Sequence, residues 1–254
     1  MASAATVGLR TKQQSMTQIA PLIAFPSLEW GTFLERNNRF SATILWRQKK
    51  LAVHVPSSGR MSELFCVGAP VAWRPFSDGR TRKTAGQLLL TKTEHDVLVC
   101  VDSLMPNRLV WKLWQNHLMQ ELEGIARLRR EVPFGQSRLD FAALDEGMLI
   151  EVKSVTLVRD QLALFPDSPT TRGTKHVLEL AEASRAGWES LIVFVIQRQD
   201  AASFSPHAEQ DPLFAVAVRK AVQAGVTLIA LESVMDETGI YGVRPIPVEH
   251  REPN

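Results

Sequence analysis

At about 100–200 residues per domain, a chain of 254 residues holds one large domain or two modest ones. Its 45% hydrophobic and 22% charged content is that of a packed globular chain and excludes both a coiled coil and disorder throughout. The net charge of +2 conceals a split, because residues 1–100 carry 13 Lys/Arg against 6 Asp/Glu and residues 101–254 carry 16 against 21. A basic half joined to an acidic half suits a polyanion-binding surface beside a site that needs carboxylates. Cys66 and Cys100 cannot form a disulfide framework, which points to a reducing compartment. Six scattered histidines give no zinc spacing. No apolar run approaches the ~18 residues of a membrane span, and no secretory h-region is present, so a cytoplasmic, non-membrane protein is expected.

Residues 1–27 read as a flexible N-terminal extension, with no acidic residue before Glu29 and with Pro21 and Pro26 barring continuous helix or central strand. Short apolar runs follow, at 40–46, 50–55, 69–75, 87–91 and 97–102, separated by turn residues such as Ser57-Ser58-Gly59 and Ser77-Asp78-Gly79. Five short strands with little helix between them predict a small barrel or compact sheet over 28–100. The pattern then alternates. Residues 106–118 have helical spacing, 138–144 and 148–155 form a hairpin around Asp145-Glu146-Gly147, and 174–186 is an amphipathic helix stopped at Gly187. The apolar run 191–196 is a strand buried on both faces, Asp211-Pro212 opens a helix that Gly225 closes, and 226–231 is a second buried strand. This order predicts a mixed sheet with helices on its faces over 101–254.

The chemistry concentrates in the hairpin. Asp140, Glu151 and Lys153 sit in segments that are otherwise apolar strand, where a charge is costly unless paired or metal-bound. Strand alternation puts Glu151 and Lys153 on one face. A two-residue loop would pair 140 with 153 and bring Asp140 to that face, whereas a three-residue loop would turn it away unless a bulge restores it. Two carboxylates and an ammonium so placed suit divalent-metal phosphodiester hydrolysis. Asp140, Glu151 and the carbonyl of Val152 would ligate Mg²⁺ or Mn²⁺, and Lys153 would orient water or offset phosphoryl charge. Taken alone, the three residues fit a cross-strand Asp140–Lys153 salt bridge equally well.

The hairpin with Asp140 and Glu151-Val152-Lys153, followed by helix and strand, resembles the core of the PD-(D/E)XK nuclease superfamily. The longer run Ile150-Glu151-Val152-Lys153-Ser154-Val155-Thr156-Leu157, then Leu164-Phe165-Pro166-Asp167 and Thr171-Arg172-Gly173-Thr174-Lys175-His176, is similar to the sugar fermentation stimulation protein family. So are Phe33-Leu34-Glu35-Arg36-Asn37-Asn38-Arg39-Phe40, Gly59-Arg60-Met61, Pro106-Asn107-Arg108-Leu109 and Arg130-Glu131-Val132, in the family's order from about residue 28 to 232. The resemblance implies an OB-fold-like barrel over 28–100, a nuclease-like mixed α/β domain over 101–254, DNA binding and a regulatory role in sugar metabolism. Two departures stand out: Ser57-Ser58 precede the Gly59-Arg60-Met61 turn, and Trp111-Lys112 occupy a helical stretch where the family often carries glutamates. The second leaves Glu131 or Glu121 as substitutes for an extra acidic ligand.

Further candidates are basic. Arg172 and Lys175, with His176, open a helix, where backbone N–H groups favour a phosphate. Arg36, Arg39, Arg60, Arg80, Arg82 and Lys83 would track a phosphate backbone, with Phe40 and Trp46 as stacking candidates. Gln197 and Arg198 end a buried strand at an edge that often holds ligands, and His54 reads as structural. The expected protein binds DNA, double-stranded and with weak sequence preference, and carries a metal-dependent endonuclease or phosphodiesterase site. The alternatives are a non-catalytic DNA-binding regulator and an enzyme acting on a small phosphorylated metabolite.

Overall fold

The computed structural model describes residues 20–249 apart from 58, 78 and 80, so expectations for residues 1–19, Ser58, Asp78 and Arg80 lie outside the described residues. The stretch expected to be a flexible extension does not run to residue 27. Ile23–Ala24 forms strand β1 at the edge of the C-terminal sheet, and Leu22, Ile23 and Phe25 pack against the core. Pro21 and Pro26 flank it, a position an edge strand tolerates because one side of its backbone has no ladder partner.

Six strands build the N-terminal domain: β2 (Glu29–Asn38), β3 (Ser41–Trp46), β4 (Lys49–His54), β5 (Pro70–Pro75), β6 (Gly86–Lys92) and β7 (Leu98–Cys100). Their order is β4-β3-β2-β5-β6-β7, and a β4–β6 bridge at His54 and Gln87 closes five of them into a barrel. Phe33, Ile44, Val53, Val71, Trp73, Leu88 and Val99 fill it. The five strands read from the sequence are all present. Strand β2 was not foreseen, because register shifts at Phe33/Glu35 and Arg36/Asn38 break its alternation and leave only Phe33 buried.

The second domain adds α1 (Met105–Gln115), β8 (Arg129–Phe134), β9 (Ser137–Ala143), β10 (Met148–Val155), β11 (Leu157–Arg159), β12 (Leu162–Phe165) and α2 (Thr171–Arg185). It continues through β13 (Glu189–Ile196), β14 (Ser203–Pro206), α3 (Pro212–Gln223), β15 (Thr227–Asp236) and β16 (Gly239–Ile246). Seven strands form one mixed sheet in the order β1-β16-β15-β13-β10-β9-β8, parallel across β10, β13 and β15. The apolar run of β13 is central, as its sequence requires. Phe141, Ile150, Val152 and Val193 face α1, while Leu149, Val155, Ile192 and Phe194 face α2 and α3. Barrel residues Ala72, Leu89, Leu90 and Cys100 belong to the α1-side core. Among the described residues no helix is long and apolar enough to cross a membrane.

Candidate active site

The hairpin adopts neither register weighed above. Ala143 pairs with Met148, Ala142 with Leu149 and Phe141 with Ile150, and there the ladder ends. Beyond Phe141 and Ile150 the strands part, and the carboxylate of Asp140 spans the gap. Its Oδ2 accepts the Val152 N–H at 2.8 Å, and its Oδ1 accepts Asn107 Nδ2 of α1 at 2.7 Å. Continued one step, this register sets Asp140 opposite Glu151, not opposite Lys153 as the two-residue loop would have required. The Asp140 carboxylate lies between strands because its oxygen takes the place of a ladder acceptor. In an extended strand a residue's N–H and C=O point the same way, so the Val152 carbonyl is directed toward that gap.

Glu151 and Lys153 project toward α2. Glu151 Oε1 accepts both Lys153 Nζ at 2.5 Å and His176 Nδ1 at 2.6 Å. Glu151 Oε2 is buried without a hydrogen-bond partner. The Asp140–Lys153 salt bridge is absent, since Lys153 pairs with Glu151 instead. Burial, then the charge of Glu151, pushes the Asp140 carboxyl up to about 6 despite the bonds from Val152 and Asn107. Burial also acts to raise Glu151, but the Lys153 charge and the His176 bond outweigh it and hold that carboxyl below its ordinary value. A buried, unpartnered carboxylate oxygen beside a second carboxylate is a hard-oxygen donor set, and it fits a divalent cation. Among the described residues no three His, Cys, Asp or Glu side chains gather for a metal, so the candidate ligands are Asp140, Glu151 Oε2 and the Val152 carbonyl.

The expected phosphate cradle at the start of α2 does not form. His176 is turned inward onto Glu151, and Arg172 Nε donates to His176 Nε2 at 3.4 Å, which leaves the ring proton on Nδ1. Lys175, one residue away on the helix, points elsewhere: its Nζ donates to the Gln136 carbonyl at 3.0 Å and lies 3.8 Å from Glu179. The helical period separates the three side chains that the sequence places together.

Beside Lys153 opens a cleft of 310 Å³ between the two domains, where Arg39, Ser57 and Met61 of the barrel face Lys153, Thr156 and Asp167. The Met61 N–H donates to Asp167 Oδ2 at 3.2 Å. Arg36 shapes this loop from within, donating to the carbonyls of Arg60, Arg39 and Ser57, so its guanidinium is an internal clasp. Arg39, Arg60, Arg82 and Lys83 are exposed, with Arg82 lying 4.1 Å over the Phe76 ring. Phe40 is 51% exposed, whereas Trp46 packs edge-on against Trp73. Gln197 bonds the Asp102 carbonyl and Ser154, and Arg198 is buried in a two-pronged pair with Asp200. His54 contacts the Phe40 carbonyl, a structural role. Asn107 and the His176–Glu151 bond were missed. A partly buried polar residue directly after the helix-opening Pro106 was the available signal for Asn107.

A closed OB-type barrel followed by a mixed-sheet α/β domain, with carboxylates at a parted hairpin, defines the class of protein. Residues 34–101 match the family model of the SfsA N-terminal OB domain, and residues 104–239 match that of the sugar fermentation stimulation protein RE domain. The chain belongs to the sugar fermentation stimulation protein family. A sugar fermentation stimulation protein homolog of Desulforamulus reducens is 40% identical over 229 residues, 89% of this chain and 95% of that one. One of Alkaliphilus metalliredigens is 41% identical over 211 residues, 82% and 90% of the respective chains. Pyrococcus furiosus SfsA, solved in complex with Ca²⁺, superposes with a TM-score of 0.81 at 28% identity, covering 91% of this chain and 99% of that one.

Proposed function

We propose that this chain binds DNA and hydrolyses phosphodiester bonds with a divalent cation held by Asp140, Glu151 Oε2 and the Val152 carbonyl, and that the role in sugar fermentation for which the family is named is exerted through DNA. The observation that carries the reading is Glu151, one oxygen saturated by Lys153 and His176 and the other buried and unpartnered. Such an oxygen is costly in a protein interior unless a ligand completes it. The Ca²⁺ of the Pyrococcus furiosus relative supports a divalent site in the family; Mg²⁺ or Mn²⁺ is the catalytic choice proposed here. When bound, the cation polarises the phosphate and acidifies a water. Lys153, which lines the cleft, offsets charge developing on the phosphoryl oxygens. His176 and Asn107 hold the two carboxylates in orientation. The exposed cations Arg39, Arg60, Arg82 and Lys83 engage the backbone of the strand. The small-metabolite alternative loses support, because Arg172 and Lys175 do not converge on one phosphate.

The test is incubation of supercoiled and linear DNA with Mn²⁺ or Mg²⁺, for the wild type, Glu151→Gln and Lys153→Ala. Cleavage is expected from the wild type and from neither variant, with DNA affinity kept in Lys153→Ala. Arg60→Ala and Lys83→Ala are expected to weaken binding and each to flatten the log-log salt slope by about 1. Cleavage by Glu151→Gln at the wild-type rate, or no cleavage by the wild type, overturns the catalytic reading.

A further inference from the structure

Resting on the DNA reading above, we propose that Trp111 and Arg130 form a stacking site for an unpaired base of a nucleic-acid strand, directly beside the candidate active site. The half-buried Trp111 indole lies nearly parallel to Phe141, 16° between planes with centroids 6.2 Å apart. The guanidinium of exposed Arg130 sits 5.3 Å from the indole centroid. Arg130 is also the ladder partner of Phe141 across β8 and β9, so the sheet sets these two side by side and α1 lays Trp111 against both. Phe141 adjoins Asp140 in sequence, and Trp111 stands one helical turn beyond Asn107, the residue that holds Asp140. The stack thus runs from solvent to the backbone of the candidate carboxylate.

Charge around it has the sign a nucleic acid requires. Arg108 and Lys112 on α1, Arg127 before β8 and Arg129 at its start are all exposed. Among the described residues only Arg108 of these four has an ion-pair partner, Asp102 at 3.7 Å. Glu121, Glu123 and Glu131 are exposed acids between residues 108 and 131, and against five Lys/Arg there the local excess is still positive in a domain that is acidic overall. Arginines on an edge strand such as β8 also discourage edge-to-edge pairing, but that role does not call for a partly buried indole under the guanidinium. A planar cation on an aromatic ring presents a flat outer face of low hydration. Bases stack on such faces irrespective of their identity, while neighbouring cations follow the phosphates. Cleavage near Asp140 would then favour strands with a base free to leave the duplex stack.

The experiment compares two labelled oligonucleotides of equal length and charge, an oligothymidylate and an abasic strand, binding to the full chain in chelator at low salt. For the wild type the abasic strand is expected to bind at least about fivefold more weakly, the span of one base–aromatic stack. Trp111→Ala is expected to abolish that discrimination, Trp111→Phe to retain most of it, and Arg130→Ser, at an exposed site that does not threaten the fold, to reduce it. Equal binding of the two strands by the wild type, or undiminished discrimination in Trp111→Ala and Arg130→Ser, overturns the stacking site while leaving the DNA reading intact. Failure of the wild type to bind these strands and duplex alike overturns both.

Discussion

Asp140 is a residue at which burial beside a second carboxylate costs the fold stability. Its carboxyl is pushed up to about 6, first by burial and then by Glu151. Because the folded value lies above the unfolded value of about 3.9, the folded chain keeps a proton that the unfolded chain has released. The corresponding stability is therefore fully present below pH ~4 and is lost as pH rises through 6. Two units correspond to roughly 3 kcal/mol, reduced to roughly 2 kcal/mol by the residual solvent access of the group. In metal-free chemical unfolding, the wild type is expected to lose about this much stability relative to Asp140→Asn between pH 4 and pH 7. A difference that grows in favour of the wild type over that interval would contradict the assigned environment. Asp140, Glu151 and Lys153 were legible in the sequence because charges inside apolar strands demand a reason. The partners Asn107 and His176 were not, since they arrive from helices whose approach to the hairpin is set by packing rather than by local pattern.

Elements position these partners through a few shared groups. Asp211 is an example: its Oδ1 caps α3 by accepting the Phe214 N–H at 3.0 Å, and its Oδ2 accepts the Thr170 N–H at 2.8 Å. Thr170 is itself the N-cap of α2, with its hydroxyl oxygen accepting the Gly173 N–H at 3.0 Å. One carboxylate thus fixes the start of both helices, and with α2 the placement of His176 against Glu151. Asp211→Ala leaves the buried Phe214 N–H and the partly buried Thr170 N–H without acceptors and is expected to cost about 2–3 kcal/mol, seen as a drop of several degrees in Tm. Asp211→Asn, which keeps one acceptor, should fall between the two. The cap at Asp211-Pro212 and the stop at Gly225 were readable because cap chemistry is local. The register at residues 143–148 was not, because it depends on a four-residue loop with Gly147 at φ +69° and on the parting of the strands beyond it. Glu29–Asn38 escaped for a related reason, its bulges erasing the period by which a strand is recognised.

For the molecule as a whole, the charge boundary near residue 100 marks a change of architecture without marking a seam in the core. Ala72, Leu89, Leu90 and Cys100 of the barrel pack in one cluster with Leu109, Leu113, Phe141 and Ile150 of the α/β domain. The Cys100 N–H donates to the Gln197 carbonyl at 2.9 Å, and the N–H and hydroxyl of Ser103 donate to the Pro56 carbonyl at 3.0 and 2.8 Å. Domains joined this way should unfold together, since exposing either one uncovers apolar surface of the other. The barrel offers a site to test this outside all three helices. Gly86 has no room for a side chain: a Cβ there would lie 2.2 Å from the Arg74 carbonyl oxygen and 2.5 Å from the Trp73 ring. Gly86→Ala therefore strains β5 against β6, and the expected cost is on the order of 1–3 kcal/mol, as for other overpacked interiors. Among the described residues all three α-helices belong to the α/β domain, so helical circular dichroism reports chiefly on that domain. Its midpoint is expected to fall in Gly86→Ala by the same amount as the calorimetric transition, which should remain single. A helical midpoint left at the wild-type temperature while a second, earlier transition appears would mean that the barrel melts by itself, and that the cleft between Arg39 and Lys153 is assembled from two independently stable bodies.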